Sequence, residues 1–210
     1  MKTTTPTVKF LAFSDHHADA ALQQRMISLA EQHKIGLVFI PGDFSPHFQN
    51  EIPENMVGPF LESGARVYVL HGNHETQASA QFVEEKYKLT HFHGHGFVHE
   101  GVGFFGAGGA DIGPFPTSDA EIFEALATSH NNIKHAKKKV MFTHVHPRNS
   151  ITEKMCPVKE TGSQAVLDAI NTFKPDLVIC GHIHEAGGIE ETIGSTKVVN
   201  VACTGKIFEL

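Results

Sequence analysis

Leu177-Val178-Ile179-Cys180-Gly181-His182-Ile183-His184 joins a short apolar run to a glycine and two histidines. A run of that length, with no polar alternation, reads as a strand buried on both faces, and the histidines follow where strand gives way to loop. The same join recurs four times. Val8 to Phe13 precedes Asp15-His16-His17, Ile35 to Ile40 precedes Gly42-Asp43, Arg66 to Leu70 precedes Gly72-Asn73-His74-Glu75, and Val140 to Phe142 precedes Thr143-His144. In open α/β sheets the carboxyl ends of the strands line one crevice, so these clusters should converge in space. Carboxylate, imidazole and amide together suit a divalent first-row metal better than calcium or magnesium alone.

Helical signals alternate with the strands. Leu22, Met26, Leu29 and Ala30 share a helical face, and Ser163 opens a second amphipathic stretch with Val166, Leu167 and Ile170 before Pro175 ends it. Ser118 and Glu121 have capping-box spacing, predicting a third helix from Ser118 to about Thr128. Pro53, Gly58 and Pro59 predict a broken or short helix over Ile52 to Ser63. Two antiparallel hairpins are expected as well, one joining Phe97–His99 to Val102–Phe105 through Glu100-Gly101, the other joining Val198–Ala202 to Lys206–Glu209. A glycine-rich loop, Gly106 to Gly113, follows the first. Parallel strands with crossover helices plus these pairs predict an α/β fold of two mixed sheets packed face to face with helices outside.

The 210 residues, 40% of them hydrophobic, form most simply one domain spanning 1–210. The N-terminus carries no signal-peptide pattern and no stretch approaches the length of a membrane span, so no membrane partner is expected. Three cysteines without paired close spacing argue against a disulfide framework, and the cytoplasm is the simplest compartment. The net charge of −6 argues against a nucleic-acid polymer as ligand, and Lys137-Lys138-Lys139 reads as a solvated edge.

The ordered clusters Asp15-His16-His17, Gly42-Asp43, Gly72-Asn73-His74-Glu75, Thr143-His144 and Gly181-His182-Ile183-His184 resemble the motif set of the calcineurin-like metallophosphoesterases. The resemblance spans Asp15 to His184. Thr161-Gly162-Ser163-Gln164-Ala165 and Cys180 to Ala186 further resemble the small Icc-related branch of that family. The resemblance implies a four-layer αββα sandwich and a centre of two divalent metal ions (manganese, iron, zinc, cobalt or nickel). It implies that Asp15, His17, Asp43 and His184 hold one ion, that Asp43, Asn73, His144 and His182 hold the other, and that Asp43 bridges. His74 would be the general acid, with Glu75 able to orient its ring. The implied reaction is hydrolysis of a small phosphate ester by in-line attack of a metal-bridging hydroxide, a phosphodiester (cyclic nucleotides included) being favoured over a phosphomonoester. Phe44-Ser45-Pro46 lacks the arginine that protein serine/threonine phosphatases carry after Asp43, which argues against a phosphoprotein substrate.

The remaining histidines are weighed singly. His146 lies close enough to the fourth motif either to contact substrate or to support the ligands from behind, and Arg148 and His71 are weaker candidates for substrate contact. His91, His93 and His95 alternate, which on one strand face would make a further metal site, although the adjoining glycines read as a loop. His33, His47, His99, His130 and His135 read as surface or loop residues. A non-catalytic scaffold of the same fold would tend to lose ligands or His74, all of which are kept here, and a metal buffer would not place its histidines after strands.

Overall fold

The computed structural model describes residues 7–45, 57–158 and 160–210. His47 and the first part of the helix expected over Ile52–Ser63 lie outside them; the second part is α2, Gly58–Glu62, with a proline in its first turn. One sheet has the order β11-β1-β2-β3-β4, made of β1 (Lys9–Ala12), β2 (Leu37–Pro41), β3 (Arg66–Leu70), β4 (Thr90–His91) and β11 (Lys206–Glu209). The other has the order β5-β6-β7-β8-β10-β9, made of β5 (Gly96–His99), β6 (Val102–Ala107), β7 (Lys138–Thr143), β8 (Leu177–Cys180), β9 (Glu190–Ile193) and β10 (Thr196–Asn200). Both are mixed: β1 to β4 run parallel with β11 antiparallel at one edge, and β6, β7, β8 and β10 run parallel with β5 and β9 antiparallel at the two edges.

Three separate cores explain why the strand runs are apolar throughout. Successive residues of a strand point to opposite faces. Phe10, Phe39, Tyr68, Leu70, Phe104, Phe142, Ile179 and Val199 fill the space between the sheets. Leu11, Val38, Val67 and Val69 face the other way, onto α1 (Ala20–His33), α2 and α3 (Gln77–Tyr87). Phe105, Met141 and Val178 pack against α4 (Asp119–Ile133) and α6 (Gln164–Phe173). The result is a four-layer sandwich, helix–sheet–sheet–helix.

Phe39 is the hub of the inter-sheet core. Its ring stacks on Phe142 at 4.2 Å and on Phe104 at 5.2 Å, and meets Phe10 edge-on at 5.4 Å. Phe39→Ala is expected to lower unfolding free energy by about 3–5 kcal/mol, because the neighbouring rings cannot all collapse into the space left. Denaturant unfolding measures this, and a loss of under about 1 kcal/mol would contradict the packing.

The helices form where the capping signals lie. Asp19 accepts the N–H groups of Ala21 and Leu22 at the start of α1. Ser118 and Glu121 form the expected reciprocal box at α4, which runs on to Ile133 rather than stopping near Thr128. Ser163 caps α6, whose last residue is followed by Lys174 in a left-handed conformation and then Pro175. The late hairpin is not formed. β10 instead makes a hairpin with β9 through Gly194-Ser195, and β11 crosses to the other sheet to pair with β1. The segment between β10 and β11 is held by both sheets, with Val201 N–H donating to the Cys180 carbonyl and Cys203 N–H to that of Ser14. β9, Glu-Glu-Thr-Ile, is an edge strand with no more than half-buried side chains and so has no apolar run to announce it.

Candidate metal centre

The turns that follow β1, β2, β3, β7 and β8 meet in one place. The first three belong to one sheet: Asp15 N–H donates to the Gly42 carbonyl and His17 N–H to that of Asp43, while the His74 amide donates to Asp43 Oδ1 at 3.0 Å. The fourth and fifth come from the other sheet, where Gly181 N–H donates to the His144 carbonyl. His182 N–H then joins the sheets by donating to the Asp15 carboxylate at 3.0 Å. Asp15, His17, Asp43 and His182 all have positive φ, at 55°, 40°, 49° and 72°. Such backbone is uncommon for residues with a side chain and clusters at functional sites.

The close approach of these turns requires glycine. A Cβ on Gly72 would lie 2.0 Å from Asp43 Oδ1, and one on Gly181 would lie 2.1 Å from Ser14 Oγ and 2.3 Å from Asp15 Oδ2. Gly72→Ala is therefore expected to displace the Asp43 carboxylate and cut bound metal sharply while the distant cores still fold. Metal analysis beside circular dichroism checks this, and full metal content in the variant would contradict it.

Among the described residues, three groups of side chains bring donor atoms within 4.8 Å of one another: Asp15, His17 and His184; His17, Asp43 and His74; Asp43, His144 and His182. Asp43 Oδ2 lies 3.4 Å from His144 Nε2, 3.8 Å from His17 Nε2 and 3.9 Å from His74 Nε2, and Asp15 Oδ1 lies 3.5 Å from His184 Nε2. Asn73 Oδ1 lies 2.9 Å from His144 Nε2. The residues that the sequence marked as ligands are thus brought together around Asp43.

The donor set fits divalent cations. His144 Nδ1 faces the Pro41 carbonyl at 3.0 Å, and donation there leaves Nε2 free toward Asp43 and Asn73, the way a backbone carbonyl fixes the ring of a ligating imidazole. His182 Nε2 is buried with no hydrogen-bond partner. In the protein without cations, protons take their place. Burial disfavours the charged form of His144, but the Asp43 carboxylate outweighs it and raises the imidazole to about 9. The hydrogen bond to Asp15, and then the contact with Cys203, raise His184 to about 10. Burial alone would raise Asp43, yet the positive charge of His144 holds its carboxyl well below the usual range. His182 goes the other way, burial and the nearby His144 lowering it to about 3.

A sign follows for pH. Both raised imidazoles hold protons at neutral pH, and a cation must displace them. Manganese affinity is expected to rise with pH between 6 and 8, with about two protons released on full loading, each contributing up to about tenfold per pH unit. Conversely, the stabilisation that these protons give the metal-free protein is complete below about pH 6.5 and is lost as pH rises through 9 to 10. Calorimetry in buffers of differing ionisation enthalpy counts the protons, and pH-independent affinity would contradict the assignment.

Glu75 has a different role from the one expected of it. Its Oε1 accepts from Ser45 N–H at 2.9 Å and Ser45 Oγ–H at 2.6 Å, and its Oε2 accepts from Gly72 N–H at 2.8 Å and Asp43 N–H at 3.0 Å. The carboxylate staples the second and third turns together and so sets the backbone of Asp43. Burial, then Asp43, raises it to about 7. His146, weighed between substrate contact and a supporting role, is fully buried and stacks on His182 at 5.9 Å, so it packs behind that ring. Arg148 is partly exposed, 3.9 Å from Glu160, and lines a separate pocket with Glu153, Lys154 and Cys156 rather than the donor cluster.

The alternating histidines do not make a metal site on one strand face, because only His91 lies in a strand and His95 is exposed in the turn that follows. His71 takes the third place: its Nδ1 is 3.2 Å from His91 Nε2, and its ring centroid is 4.8 Å from that of His93. Gly108 N–H donates to His93 Nδ1, whose Nε2 faces the Gln77 amide at 3.0 Å. Sequence reading also missed Ser14, whose hydroxyl donates to Asp15 at 2.5 Å, and Asn200, whose amide donates to the Gly181 carbonyl at 3.0 Å and holds the histidine turn. Neither stands in a cluster of metal-type residues, so neither carried a signal.

Two mixed sheets between helices gather carboxylate and imidazole donors at their shared end, a set that could hold divalent cations. The profile of the calcineurin-like phosphoesterase family matches residues 8–186, and the chain belongs to that family. No curated protein matches the sequence. Among solved structures, a Thermus thermophilus protein is 18% identical over 95% of this chain and 91% of its own, with a TM-score of 0.73. A Danio rerio dimetal phosphatase is 12% identical over 93% of this chain and 87% of its own, with a TM-score of 0.61. A putative 5′-nucleotidase from Staphylococcus aureus is 18% identical over 93% of this chain but 48% of its own, with a TM-score of 0.63. At these identities the likeness is one of fold.

Proposed function

We propose that the protein is a dinuclear-metal phosphodiesterase acting on a small phosphodiester. The observation that supports this is that Asp43 belongs to two of the three donor groups among the described residues, one with His17 and His74 and one with His144 and His182, while His17 also belongs to the third with Asp15 and His184. When bound, two divalent cations would neutralise the phosphoryl oxygens and lower the pKa of the attacking water. The mixed nitrogen and oxygen donors accept manganese, iron, zinc, cobalt or nickel.

The side chains would do the rest. Asp43 would supply the carboxylate that holds both cations. His74 has a side chain 19% exposed, hangs beside His17 at 4.9 Å between ring centroids, and would hold the proton that the departing alcohol needs. Glu75 keeps Asp43 in place through the backbone.

Bis-p-nitrophenyl phosphate and p-nitrophenyl phosphate, each with manganese, test the reading. The diester is expected to have the higher kcat/KM by about tenfold or more, a difference of about 1.4 kcal/mol in transition-state stabilisation. Equal or reversed values would contradict the diester preference, and no manganese-dependent turnover of either would contradict the function.

A further inference from the structure

A cavity of ≈ 370 Å³ opens beside the candidate centre, with Thr76, Gln77, Pro114, Phe115, Pro116 and Glu121 among its walls. It is tied to the centre from both sides. One wall continues the chain directly after His74, and the other is a loop whose Phe115 N–H donates to the Asn73 carbonyl at 3.1 Å. The same loop lies so close over Asn73 that a Cβ on Gly113 would come 2.3 Å from the Asn73 amide nitrogen. Thr117 N–H donates to the Ala110 carbonyl at 2.7 Å and closes the loop, so the wall bearing Phe115 is fixed.

The chemistry of this cavity is selective. Its carboxylates are already engaged, Glu75 by the backbone of both metal turns and Glu121 by the Ser118 cap, and its lining includes no lysine or arginine. An anionic group would be repelled there, while two prolines and a half-buried phenyl ring offer apolar area to a planar one. The volume suits a ring with its linker. We propose that this cavity is the subsite for one organic arm of the diester and that it selects an uncharged, ring-bearing arm, with Phe115 as the stacking face and specificity-determining residue. This rests on the phosphodiesterase reading above.

Symmetric diesters test it, since either arm can enter. Calorimetry on the manganese-loaded protein compares bis(2-phenylethyl) phosphate, diethyl phosphate and bis(2-carboxyethyl) phosphate. The phenylethyl diester should bind about 3- to 10-fold tighter than the diethyl one. Phe115→Ala should erase that preference without weakening diethyl phosphate, Phe115→Leu should leave part of it, and Glu121→Gln, which keeps the cap, should improve binding of the carboxyethyl diester alone. A preference that is absent in the wild type, or unchanged in Phe115→Ala, overturns the subsite. Turnover of bis-p-nitrophenyl phosphate on the same preparations separates the two readings. A preference absent in the wild type, or unchanged in Phe115→Ala, with turnover intact sinks the subsite alone. If turnover is absent, 2-phenylethanol by itself, which needs no metal, must still shift the Phe115 and Thr117 amide resonances, and failure to do so sinks the subsite as well.

Discussion

Asp43→Asn is expected to remove activity and loosen both metals at once while leaving the fold intact. Two divalent cations at about 3.5–4 Å repel with an energy on the order of 20 kcal/mol at an effective dielectric constant near 20, before ligand charge is counted. An anion between them lowers that energy, and Asp43 is the carboxylate that shares one donor group with His17 and His74 and another with His144 and His182. An amide keeps the shape and one oxygen donor but removes the charge. The loss in kcat should therefore exceed the roughly 10²–10³-fold typical of removing one electrostatic stabiliser. The cores are unaffected, since Phe39, Phe142 and their neighbours are packed among themselves. Two tightly held metals with wild-type turnover in the variant would remove Asp43 from its bridging place.

The second large effect is expected at His74, and it is selective. A group that protonates the leaving oxygen matters in proportion to how poorly that oxygen leaves. His74→Ala should slow an alkyl diester by about 10²–10⁴-fold and a p-nitrophenyl ester far less, because p-nitrophenolate departs with little help. The structure sharpens the alternative, since His17, Asp43 and His74 also bring donors within 4.8 Å. If His74 were a ligand, the variant would lose metal and slow both esters alike. Both rates and the metal content on one preparation decide: equal slowing with metals intact would exclude the acid role, and metal loss would make His74 a ligand.

What was readable in the sequence follows from burial. β1, β2, β3, β7 and β8 are covered on both faces, so each is an apolar run, and each ends where the chain turns polar. The donors gathered at Asp43 could be named for that reason. α3 could not, because its buried face consists of Ser79, Ala80 and Val83 while Phe82 is 48% exposed, and its cap pairs Thr76 with Ser79 rather than with an acid. The surroundings of Glu75 and His146 depend on which way a side chain leaves a turn, which residue type and spacing do not encode. Backbone carbonyls such as that of Pro41, which sets the His144 ring, have no side-chain signature at all. The crossing of β11 to the other sheet depends on contacts between residues far apart in the chain, Ser14 with Ala202 and Cys203, that no local pattern encodes.

Anomalous diffraction from manganese-loaded crystals is the most direct measurement of the claim that two cations share Asp43. Two peaks about 3.5–4 Å apart are expected, one beside Asp15, His17 and His184, the other beside Asn73, His144 and His182, with the Asp43 carboxylate between them. A single peak, or two peaks with Asp43 touching only one of them, would contradict it.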